Sequence, residues 1–272
     1  MKMDTRVVLI HCGEPTVDAT RAALKAAVGY GEWWDLVEVE NVSPMDAAFN
    51  TMLDLAVRDY HVQVDADMVL DPHAILTLRR SLDDCGDSWW QSCYPLWDTL
   101  YRRPISGVKI YRSDIARQNR YKPTRHCEVD QTARVREQGY HIYAKSPDCP
   151  RVGCVGEHRV ADNRTAAWNS YDRALRGRWL VSRGQSNWFG WIEPYFKMFP
   201  KWYRETGDER YLWGLMGLVA GASAAVPDEW GEKDATAPPE FLTWIEKVSA
   251  RPSSAWGSDC YVPLWLREEW GV

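Results

Sequence analysis

Val62-Gln63-Val64-Asp65-Ala66-Asp67-Met68-Val69-Leu70-Asp71-Pro72 is the stretch on which the reading of this chain turns. β-favouring residues lead into two carboxylates at positions i and i+2, and Pro72 restarts the chain as a helix. Along an extended strand, side chains two apart share a face, so Asp65 and Asp67 are expected to converge on one ligand at the strand's carboxyl end. Two carboxylates on one face repel unless a cation or a hydrogen-bond donor sits between them. A hard divalent ion, Mn²⁺ or Mg²⁺, meets that need, because it takes one or two carboxylates and completes its shell with substrate phosphate and water. Taken alone, the same pair also fits a strand ending in a polar turn with Asp capping the next helix.

The flanking sequence alternates between strand and helix. Residues 6–10 form a buried β run ending in the turn residues His11–Pro15, and 16–28 carry a helical pattern of small residues closed by Gly29 and Gly31. Residues 35–40 alternate as a second strand. Ser43 and Pro44 are expected as the N-cap and first position of a helix running to about Arg58. This rhythm indicates βαβ units and a parallel sheet, with ligands outside the carboxyl ends of the strands. His11–Glu14, Asn41–Ser43 and Asp65–Asp67 all fall at those ends. Short strands follow at 89–94 and 107–111. A helix over 129–138 is closed by Gly139, and a strand over 140–144 comes next. The fold class is therefore α/β with a helical appendage, divided as residues 1–160 and 161–272. The appendage reads as helices over 164–176, 188–204, 210–225 and 239–248.

A net charge of −5 excludes a uniformly basic nucleic-acid coat, but it averages over a split. Residues 102–183 hold 18 Lys+Arg against 8 Asp+Glu, leaving 15 against 30 in the remainder. The basic middle suits an anionic ligand, either a nucleotide diphosphate or a polyanionic acceptor met by Arg102, Arg103, Arg112, Arg117, Arg120 and Arg125; it equally suits a solvated face. Seven scattered cysteines and a short polar start before the first strand point to reduced thiols and a cytoplasmic setting. Cys149, Cys154 and His158 lack the second pair that a zinc finger needs. Leu212–Val226 is apolar for too few residues to span a bilayer. Trp188, Trp191, Tyr195, Phe199 and Trp202, spaced by three or four, read as a packing face, with a stacking platform as the functional alternative.

Residues 44–75, PMDAAFNTMLDLAVRDYHVQVDADMVLDPHAI, resemble the heart of GT-A-type glycosyltransferases, in particular the inverting family 2. There, too, an Ala-rich helix with a central Asn leads to a strand, D-A-D and a D-P helix start. The resemblance spans residues 5–160 and implies a Rossmann-like, mostly parallel mixed sheet flanked by helices. It implies a nucleotide-sugar donor, foremost a UDP-sugar, and Mn²⁺ or Mg²⁺. Asp65 would lie near ribose and metal, and Asp67 would ligate the metal. His11, Gly13, Glu14 and Asn41 would frame the base and ribose, with Asn50 bracing the nucleotide loop.

A second match runs from Cys127 to Arg134 and on to Gly139. Counting back from Gly139 places Glu128 at the family's catalytic carboxylate and Asp130 two positions later; Cys127 stands where the family has Glu. The chemistry demands such a carboxylate, because an acceptor hydroxyl must lose its proton as it attacks the anomeric carbon. His158, after a short strand, is similar to the late third metal ligand of these enzymes. The expected activity is sugar transfer, with inversion, to a hydroxyl on a glycan or protein. A hydroxymethylated pyrimidine in DNA is the rival acceptor, and a non-catalytic nucleotide-sugar or nucleic-acid binding module is the rival class.

Overall fold

The computed structural model describes residues 3–124, 127–145, 151–184 and 189–226, with the single positions 241 and 243. Of the expected helix over 239–248 only positions 241 and 243 are described, and Arg125, Cys149 and Trp188 lie outside the described residues. The chain divides into two compact units, the first reaching Ala161 and the second starting at Asp162.

In the first unit, β1 (Thr5–His11), α1 (Val17–Ala26), β2 (Trp34–Glu40), α2 (Met45–Leu55) and β3 (Tyr60–Asp65) follow one another as the hydrophobic pattern requires. They continue into β4 (Met68–Leu70), α3 (Ala74–Cys85), β5 (Trp89–Asp98), β6 (Arg103–Arg112), α4 (Ser113–Gln118), α5 (Cys127–Glu137), β7 (His141–Ala144) and β8 (Gly156–His158). One eight-stranded sheet results, in the order β2-β1-β3-β6-β5-β8-β4, with β7 beside β5. β1 pairs in parallel with β2 and β3, and β5 with β7 and β8, whereas β6 runs antiparallel to both its neighbours and β4 antiparallel to β8.

Alternation along the strands sorts side chains into two cores. Val7, Leu9, Val62 and Val64 face Leu24 of α1 and Ile75, Leu78 and Leu82 of α3. Val8 and Val39 face Phe49 and Met52 of α2, Ile115 of α4 and Val135 of α5. The sheet is thus sandwiched between helix layers, as a mixed α/β fold requires.

Two expectations need correction. α2 takes Pro44, not Ser43, as its N-cap. The Pro44 carbonyl accepts from the Ala47 and Ala48 amides while its own backbone stays extended, so helix begins only at Met45. Asp65 and Asp67 do not share a strand face either, because the chain turns at Ala66 and Asp67 between β3 and β4. Four strand spacings of about 4.8 Å would separate β3 from β4 in a flat sheet, and two linking residues reach only about 11 Å. The sheet curls to bring them together.

His61 of β3 is fully buried, with Nδ1 3.0 Å from Ser113 Oγ and its ring stacked 4.8 Å from Tyr111. Burial, aided by the Arg117 charge, pushes its imidazole down to about 3. A depressed histidine contributes stability that is present above the unfolded value of about 6.5 and lost as pH falls toward the folded one. Comparing urea unfolding at pH 7 and pH 5, the native protein should lose about 2 kcal/mol more than His61→Gln. Equal losses would show that His61 is not held neutral.

In the second unit, α6 (Asn163–Ser182), α7 (Phe189–Thr206) and α8 (Arg210–Ser223) form a helical layer. A Cβ at Gly217 would stand 2.0 Å from the Ala167 carbonyl oxygen, so glycine here lets α8 lie directly against α6. Tyr195, Phe199 and Trp202 are buried against one another and Tyr211. They are core, which removes them as a stacking platform. Among the described residues no helix is long and apolar enough to cross a membrane.

Candidate active site at the carboxyl ends of the strands

Parallel pairing sets the carboxyl ends of β1, β2 and β3 side by side, with His11 opposite Glu40 and Ile10 opposite Asp65. The Asn41 amide donates to the His11 carbonyl at 2.9 Å, joining two of the three loops. His11 is buried, with Nε2 2.9 Å from Glu38 Oε2. Arg21 grips Glu38 through Nε and Nη2, each at 2.8 Å, and this hydrogen bonding holds the Glu38 carboxyl down to about 2 despite partial burial. His11 Nδ1 is buried with no hydrogen-bond partner among the described residues. Gly13 has φ of 82°, and Glu14 accepts from the Cys12 amide at 2.7 Å. Asn50 exchanges two 3.0 Å hydrogen bonds with the Tyr121 backbone, so its carboxamide braces the segment that leads to α5.

The turn that carries Asp67 is fixed from two sides. Thr20 Oγ1 of α1 donates to the Ala66 carbonyl at 2.6 Å, and the Arg159 amide donates to the Asp67 carbonyl at 2.7 Å. β8 lies between β4 and β5, with His158 opposite Met68 on one side and opposite Asp98 on the other. Gly156 permits that insertion, since a Cβ there would meet the Val69 carbonyl oxygen at 2.5 Å. His158 consequently sits between two carboxylates. Its Nε2 is 3.0 Å from Asp67 Oδ2 and its Nδ1 3.3 Å from Asp98 Oδ2. Burial opposes a charge on this ring, but Asp67 and Asp98 overcome it and push His158 up to about 10.

Asp65 does not join this set. Its Oδ1 lies 3.5 Å from Gln63 Nε2, and among the described residues no three His, Cys, Asp or Glu side chains form a complete cation cage. Cys154 and His158 thus form no such group with a third described ligand. Asp67 and His158 would nevertheless suit a divalent ion, one through a hard carboxylate oxygen and the other through an imidazole nitrogen. Asp67 Oδ2 and His158 Nε2, 3.0 Å apart as an ion pair here, are close enough that both could reach one ion. Asp98 would then be the carboxylate behind the histidine. Sequence reading missed Asp98; its only local signal is an Asp before a short turn.

Glu128, at the start of α5, is ion-paired with Lys109 of β6. Burial opposes the lysine charge, and the attraction of Glu128 more than restores it, raising the ammonium. Lys109 is opposite Gln63 in the β3–β6 register, so Glu128, Lys109, Gln63 and, two residues further, Asp65 belong to one side of the sheet. Asp130 instead pairs with Arg134 at 2.8 Å along its own helix. Several of the arginines offered as an acceptor surface act as braces. Arg112 bonds the Trp89 and Gly86 carbonyls at 2.8 and 3.0 Å, Arg117 the Ala56 carbonyl at 2.7 Å, and Arg120 both oxygens of Asp54.

No family model matches the chain, and no curated protein sequence matches it. Solved structures do. A mannosyltransferase from Pyrobaculum calidifontis, in complex with GDP-Man and Mn²⁺, superposes with a TM-score of 0.50 at 13% identity, covering 92% of this chain and 80% of that one. The fold is of the GT-A type. Glucosyl-3-phosphoglycerate synthase from Mycobacterium tuberculosis, with Mg²⁺ and UDP, follows at 0.45 and 12%, over 68% of this chain and 81% of that one. Staphylococcus aureus TarS with UDP-GlcNAc gives 0.43 and 12%, over 66% and 67%.

Proposed function

We propose that the chain is a divalent-cation-dependent glycosyltransferase, moving a sugar from a nucleotide diphosphate sugar to an acceptor hydroxyl with inversion. The observation that carries this reading is the Asp67–His158 pair, 3.0 Å apart at the strand ends of a GT-A sheet and backed by buried Asp98. Asp67 and His158 would hold Mn²⁺ or Mg²⁺. When bound, the ion neutralises charge on the departing diphosphate.

Everything else falls to the chain itself. His11, Gly13, Glu14 and Asn41 frame the base and ribose of a donor, taken first as a UDP-sugar, and Asp65 stands beside them. Glu128 takes the proton of the acceptor hydroxyl. Lys109 holds the Glu128 carboxylate in place through their ion pair. The acceptor is placed as a glycan or protein hydroxyl. The bracing roles of Arg112, Arg117 and Arg120 remove much of the motivation for a DNA acceptor.

A panel of UDP-, GDP- and ADP-sugars with Mn²⁺ tests the proposal by thermal shift and by nucleotide release. One donor should raise the melting point in the presence of Mn²⁺, since only ligands preferring the folded state do so, and should be hydrolysed slowly without acceptor. Binding of a donor without any turnover would favour the non-catalytic module.

A further inference from the structure

We propose that Asp98 is the positioning residue of the site: it fixes the His158 imidazole so that Nε2 presents its lone pair to a cation. The inference rests on the reading of Asp67 and His158 as the cation-holding pair.

Asp98 is completely buried, and its two oxygens do different things. Oδ1 accepts from the Leu100 and Tyr101 amides at 2.9 and 2.8 Å, which builds the turn after β5. Oδ2 faces His158 Nδ1 at 3.3 Å, a charge contact without hydrogen-bond alignment. The turn alone requires only one acceptor oxygen, which Asn supplies as well as Asp. A buried carboxylate is costly unless something compensates its charge. The oxygen that the turn does not use lies against His158. A cation would take the place of the Nε2 proton that faces Asp67 here, and an acceptor beside Nδ1 would keep the remaining ring proton on that nitrogen. The strand register enforces the arrangement: Asp98 and His158 are direct neighbours across β5 and β8, and the Thr99 amide donates to the His158 carbonyl at 3.0 Å.

Asp98→Asn separates the two tasks. The amide oxygen still serves Leu100 and Tyr101, but its NH₂ turns toward Nδ1, which must then accept, placing the proton on Nε2. The full chain is titrated with Mn²⁺ alone. Affinity is read by electron paramagnetic resonance, and nitrogen coupling to the bound ion by electron spin-echo modulation. Wild type should show a histidine nitrogen on Mn²⁺. D98N should bind about 10- to 100-fold more weakly and lose that coupling, with an unchanged melting point. If D98N fails to fold, Asp98→Ser retains one turn acceptor and should give the same two losses. Wild-type affinity and coupling in the variant overturn the role of Asp98 alone. A wild-type protein with no nitrogen coupling, and unaffected by Asp67→Ala, overturns the underlying metal reading instead.

Discussion

Asp67→Ala lowers donor turnover by about a thousandfold or more, in hydrolysis and in transfer alike. Stabilisation of the leaving diphosphate by a bound ion is worth several kcal/mol, and about 4 kcal/mol corresponds to a factor near 10³. Asp67 contributes one of the two side chains placed at ligand spacing, so its loss leaves His158 as the single remaining contact. Beyond its contact with His158, little depends on this carboxylate. The backbone around it is tied by Thr20 and Arg159 through main-chain carbonyls that alanine retains. The variant should consequently stay folded and lose response to Mn²⁺ in a thermal shift. Turnover equal to wild type, at saturating donor and metal, would remove Asp67 from the site.

Glu128→Gln should reduce the transfer rate by about 10²- to 10⁴-fold, the usual contribution of a positioned general base. Asp130→Asn should leave the transfer rate nearly unchanged, because Asp130 is engaged by Arg134 on its own helix and by Lys122. The two variants discriminate between candidates that sequence spacing left side by side. Gln can still accept from Lys109, so the lysine is not left without a partner oxygen. Saturating donor and a range of acceptor concentrations separate a loss in kcat from a loss in KM. If D130N is the more damaged, the base has been assigned two positions too early.

The first half of the fold was legible because its elements are long, periodic and joined by ordinary turns. Val7 to Leu9, the small-residue face of α1 and the Val62–Val64 run each announce their layer. β5 and β6 were read too short. Pro95 sits at a register shift in β5 and Pro104 near the start of β6, and each breaks the pattern that marks a strand. α4, at six residues, is too short for helical period to show. In the site, the sequence pointed to Asp67 through its neighbours and to His158 through family resemblance. It misplaced the relation of Asp65 to Asp67, because a turn inside D-A-D cannot be told from continued strand by residue type. Asp98 was invisible. Its meaning comes from pairing with a strand some sixty positions later, and nothing local encodes that.

Three-residue β8 is the piece that completes the crevice, and it arrives late in the chain. During synthesis, β1 to β3 and their helices can collapse on local contacts, yet Asp67 and Asp98 have nothing to embrace until His158 leaves the ribosome. Contacts bridging such long separations form slowly. On the proposed reading, capture of manganese by a nascent chain would report the moment the sheet closes, and chains cut short before residue 156 would lack that capacity.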